Sequence, residues 1–166
     1  MSQSTMRKFV LPAILIAAAA PLAAKDSLGI FSDWGAFRDA SVPRCYAIAE
    51  AEPTRFSREF EPYSTIATWP ARRVRGQVHF RLSRTPREGS RVSLRIGRQT
   101  FTLVAGEADA WARDAAMDAA IVATMRSAES MTVRGTDSRG RRFSDSYSLA
   151  GAATAMDAAT LACPRR

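Results

Sequence analysis

The sequence predicts a mainly β domain, an antiparallel sandwich or barrel, and three observations carry that reading. Apolar and polar residues alternate with period two in five separate stretches. Clusters of turn-forming residues divide those stretches at short, regular spacing. The 166-residue chain is 46% hydrophobic, enough for one domain with a real core and hardly for two.

Taken in order, Val78, Phe80 and Leu82 share one side of a strand, with His79, Arg81 and Ser83 on the other. Val92, Leu94 and Ile96 repeat this against Arg91, Ser93 and Arg95, and Phe101 and Leu103 against Thr100 and Thr102. Met131 and Val133 oppose Thr132 and Arg134, and Phe143 and Tyr147 oppose Ser144, Ser146 and Ser148. One apolar and one wet side is the mark of a half-buried strand. The separators Pro86-Arg87-Glu88-Gly89, Gly97-Arg98 and Asp137-Ser138-Arg139-Gly140 read as turns joining hairpins. Trp34, eleven residues before Cys45 in an early strand, reads as core. Trp111 either clamps the start of a helix or stands exposed.

Two Ala-rich segments interrupt the strands. Ala112–Ala128 places Met117, Ile121 and Met125 four residues apart, with Asp109 and Asp114 near its start where carboxylates suit the helix dipole. It is expected to be an inserted helix. Gly151–Leu161, carrying Met156, is expected to form a short C-terminal helix before Cys163. Glu50–Trp69 has no clean period and is expected to be a long, partly irregular connection.

The N-terminus is expected to be processed. Arg7 and Lys8 precede an apolar run from Phe9 to Ala20, and small residues lead to Lys25-Asp26. This is the layout of a secretory signal peptide over residues 1–24, leaving 25–166 as one domain with no transmembrane anchor after cleavage. The periplasm is the expected location, with release or outer-surface association as alternatives. In that oxidising setting the only two cysteines, Cys45 and Cys163, are expected to form one disulfide.

Composition and motifs exclude several chemistries. One His and two Cys cannot close a structural zinc site, and no cofactor is expected. No nucleophile elbow, phosphate-binding glycine loop or spaced metal-ligand motif occurs. His79, the single imidazole, is expected to be an exposed strand residue, since no neighbouring carboxylate in sequence orients it. Glu50 with Glu52, and Glu59 with Glu61, read as solvated edge charges rather than a glycosidase pair.

The strongest physical signal is cationic: Lys+Arg total 24 against 16 Asp+Glu, and only Lys8 and Lys25 are lysines. Arg81, Arg91, Arg95 and Arg134 occupy outward strand positions, and Arg142 lies among those at the adjoining turns. On one face they would bind an anionic envelope component, lipid or polysaccharide, because guanidinium forks match phosphate and carboxylate. Export argues against nucleic acid. The competing reading is a solvated face enriched in Arg by genome composition, and the scarcity of Lys weighs toward it.

Several spaced pieces resemble the invasion-associated locus B family of exported Gram-negative proteins. They are Phe31-Ser32-Asp33-Trp34, Cys45-Tyr46-Ala47-Ile48, Val78 to Arg84 with Pro86, Arg91 to Gly97, Gly106 to Trp111, Ser130 to Gly140, Asp145 to Gly151, and Cys163. The chain departs from the pattern at Ala152-Ala153, where a bulkier aromatic is usual. The resemblance implies an immunoglobulin-like β-sandwich in the periplasm or envelope and supplies no catalytic residues. The functional expectation is therefore a non-enzymatic binding or envelope-associated role. The alternatives are a hydrolase-like enzyme acting on an envelope substrate, and a secreted factor in host contact.

Overall fold

A computed structural model describes residues 25–163, so the expected signal peptide at 1–24 lies outside the described residues. Among the described residues, ten antiparallel strands form one continuous sheet that folds over into a sandwich-like, mainly β architecture. They are β1 (Asp26–Phe31), β2 (Trp34–Asp39), β3 (Arg44–Glu50), β4 (Tyr63–Trp69), β5 (Val74–Arg81), β6 (Val92–Ile96), β7 (Gln99–Gly106), β8 (Asp109–Trp111), β9 (Ser130–Thr136) and β10 (Arg142–Ser148). The order across the sheet is β1-β2-β3-β4-β5-β8-β7-β6-β9-β10. Strand β7 belongs to both leaves, since Gln99–Leu103 pairs with β6 and Val104–Gly106 with β8.

The period-two residues supply the core as expected. Trp34, Val78, Phe80, Leu82, Leu94, Val133 and Tyr147 are buried in a single cluster between the leaves. Burying each such side chain contributes about 1.5–3 kcal/mol, so the face choice of every strand is strongly fixed. The far strand returns to the first leaf: Trp34 Nε1 donates to Ser148 O at 2.9 Å, and Glu52 N donates to Ser146 O at 2.7 Å. Gly135 leaves room for the ring of Phe143 opposite it, where an added Cβ would lie 2.5 Å from ring carbon Cζ.

Helix α1 (Ala115–Met125) is shorter than the Ala112–Ala128 expected, because Asp114 caps it by accepting from Met117 N at 2.8 Å. It is pinned to the sheet by Val78 N donating to Asp118 Oδ1 at 2.8 Å. Burial pushes the Asp118 carboxyl above its ordinary range, despite that bond. Helix α2 (Ala152–Ala162) buries Ala152, Ala155, Met156 and Ala159 against β1, β2 and β3. Its end is tied to β3 by the Cys45–Cys163 disulfide, 118 residues apart in sequence.

Two expectations need correction. The segment Glu50–Trp69 is irregular only as far as Pro62, and Tyr63–Trp69 is the full strand β4, paired on both sides. Asp109 does not sit at a helix start: it belongs to β8, opposite Arg81 of β5.

Candidate functional site

The site grows from the outward side of the β6–β9–β10 leaf. Ser93 on β6 stands opposite Arg134 on β9, which stands opposite Ser144 on β10. Arg91 lies two residues before Ser93, and Arg142, two before Ser144, pairs with Thr136. Period two puts the side chains of Ser93, Arg134, Ser144 and Arg142 on one face, with directly opposed positions about 5 Å apart. Arg134 and Arg142 therefore flank Thr136, and Arg91 stands just before the start of β6. All three are exposed, and none of their side chains has a hydrogen-bond or ion-pair partner among the described residues.

They line a groove of about 790 Å³ whose opposite wall is the Thr54–Arg58 segment. That wall is held in place by arginines that are already engaged. Arg58 Nη2 donates to Glu52 O at 2.6 Å, and the buried Arg84 donates to Ser57 O and, at 2.9 Å, to Ser57 Oγ. Arg84 and Arg141 both reach Glu59 Oε1 at 3.2 Å. Arg141 Nε also meets Asp137 Oδ2 at 2.8 Å. Burial alone would raise the Asp137 carboxyl, but the Arg141 and Arg139 N–H groups and the Arg141 guanidinium hold it below the ordinary range. Glu59 is exposed, as its spacing from Glu61 implied, and it also holds this wall through Arg84 and Arg141.

Asp145, 1% exposed, forms the floor. Its Oδ2 accepts from Ser83 N at 2.9 Å, while Oδ1 and the neighbouring Tyr147 hydroxyl are buried without a partner among the described residues. Burial pushes the Asp145 carboxyl up, only partly offset by the Ser83 bonds and by the charges of Arg58 and Arg84. Burial also pushes the Tyr147 hydroxyl up, so it stays neutral.

Of the four arginines singled out in the sequence, the groove brings together Arg91 and Arg134. Arg95 shares their side of β6 but turns its Nε to Gly97 O at 3.1 Å and does not line the groove. Arg81 stands apart, with β8 and β7 between it and β6, and its Nη1 lies 2.8 Å from Asp109 Oδ2. Arg142 joins them in the groove. Its signal was in the sequence, because it continues the Ser144, Ser146, Ser148 alternation one step back.

His79 also differs from expectation. It is half-buried, with Nε2 at 2.9 Å from Asp109 Oδ1, Nδ1 at 3.4 Å from Thr65 Oγ1, and its ring 5.4 Å from that of Trp111. The orienting carboxylate arrives from thirty residues away through the β5–β8 pairing. None of these four residues lines the groove. Trp111, left open by the sequence, is 36% exposed on β8. No group of three or more His, Cys, Asp or Glu among the described residues is placed to hold a metal ion.

Residues 67–160, more than half of the chain, match a family model described as invasion associated locus B (IalB) protein. Neither the curated proteins nor the solved structures contain a match.

Proposed function

Because the chain belongs to the invasion associated locus B family, we propose that it is a non-enzymatic binding protein of the periplasm or envelope, taking an anionic partner at the basic groove. The carrying observation is that Arg91, Arg134 and Arg142, none with a side-chain partner among the described residues, line one groove. Like charges on neighbouring sheet positions repel and destabilise the fold. Here they gather without a counter-charge among the described residues, while Arg58, Arg84 and Arg141 beside them are engaged. A guanidinium cluster of this kind suits carboxylate, phosphate or sulfate groups. The disulfide and the signal-like N-terminus fit an exported protein. No comparable observation favours the hydrolytic alternative: His79 and Asp109 stand outside the groove.

The test uses dextran sulfate and phosphatidylglycerol vesicles as polyanion probes, measured at low and at raised salt. Binding should fall as salt rises, because exposed charges are screened over about 10 Å at 0.1 M. The combined Arg91→Gln, Arg134→Gln and Arg142→Gln variant should bind at least about tenfold more weakly, with a melting temperature no lower than that of the parent. Absence of binding to every anionic probe, or binding indifferent to these substitutions, would remove the proposal.

A further inference from the structure

The groove has a second property that its charge does not require: one side of it is an open strand edge. Strand β10 is the last in the sheet. Its odd-numbered residues turn their backbone toward the β9 side, as Leu149 N shows by donating to Glu129 O at 2.9 Å. Backbone direction alternates along a strand, so the even-numbered residues face the free edge. Two of these are already used, since Ser146 O accepts from Glu52 N and Ser148 O accepts from Trp34 Nε1. After Glu52 the chain leaves the edge and forms the far wall at Thr54–Arg58. The N–H and C=O groups of Arg142 and Ser144 are left on the groove side, bonded to no other described residue.

Resting on the anion-binding reading above, we infer that the groove's ligand is an extended acidic polypeptide segment that adds as a strand to the Arg142–Ser144 edge of β10. Edge addition supplies main-chain hydrogen bonds, and alternate side chains supply specificity. A strand added there lies about 4.8 Å from β10, so its outward side chains fall beside Arg142 and Ser144 and within reach of Arg134. Carboxylates at every second position would meet the free guanidiniums. The Glu52–Ser146 bond continues the same edge, so the chain itself already provides one rung of the ladder the ligand would extend. A lipid headgroup or a polysaccharide could use the arginines but would leave the edge amides unpaired.

The experiment compares three probes on the purified protein: an alternating Glu-Thr peptide, the same peptide N-methylated at alternate backbone amides, and dextran sulfate. The plain peptide should bind, and N-methylation should weaken it by about tenfold or more while its charge is unchanged. Ser144→Pro removes an edge N–H at a position where proline is tolerated in strands. It should weaken peptide binding and leave dextran sulfate binding intact. Equal binding of the plain and N-methylated peptides, or binding of dextran sulfate without the peptide, would overturn edge addition and leave the anion-binding reading standing. Failure of all three probes would overturn both.

Discussion

Reducing the bridge between Cys45 and Cys163 should cost this domain a large share of its stability. The bond closes a loop of 118 residues. On the chain-entropy relation this constrains the unfolded chain by roughly 5 kcal/mol, with residual structure in the unfolded state lowering the realised value toward 3. The native side changes little, because Ala152, Ala155, Met156 and Ala159 keep α2 docked without the bond. A Cys45→Ala, Cys163→Ala variant avoids placing a hydroxyl at position 45, which is fully buried. Urea denaturation of this variant against the oxidised protein should show a loss of about 3–5 kcal/mol. At this chain length each kcal/mol corresponds to about 4 °C, so the melting temperature should fall by roughly 12–20 °C. Fragments of the native oxidised protein should contain the two cysteines linked. A loss below about 1 kcal/mol, or two free thiols in protein taken from its own compartment, would refute the reasoning.

Two further substitutions check the core and the floor of the groove. Gly151 has φ +84° and an added Cβ would lie 1.8 Å from Phe31 O, so Gly151→Ala should destabilise by more than the about 1–3 kcal/mol of its backbone conformation alone, read by thermal melting. Asp145 has a carboxyl pKa raised by burial, so the folded state holds its proton more tightly than the unfolded chain and stability is lost as pH rises through that raised value. Asp145→Asn keeps an acceptor for Ser83 N and removes the buried charge. It should be as stable as or more stable than the parent at pH 7, with the difference shrinking as pH falls toward 4 in paired denaturation curves. A large loss at neutral pH would contradict the burial argument.

The parts of the fold legible in the sequence are those with one wet face. Strands β6, β9 and β10 alternate cleanly because one side of each meets solvent, and that alternation also placed Arg91 and Arg134 correctly. Strand β4 was illegible because Ile66, Ala67 and Thr68 are all buried: α2 packs against this strand, so period two is lost. The Asp114 cap was within reach of local pattern, whereas the three-residue β8 was too short to show a period. Long-range pairing was the other barrier. Nothing local to Arg81 or His79 announces Asp109, which reaches them only through the β5–β8 register. The groove itself depends on where the chain leaves the β10 edge after Glu52, a matter of tertiary path rather than composition.

Amide hydrogen exchange along β10, with and without the alternating Glu-Thr peptide, tests the central claim most directly. The N–H groups of Arg142 and Ser144 are on the open edge, and a strand added there must cover them. Added peptide should slow exchange at Arg142 and Ser144, with little change at Phe143 and Asp145, whose amides face β9. Exchange unchanged at Arg142 and Ser144 while the peptide is bound, or protection confined to another part of the molecule, would contradict the account.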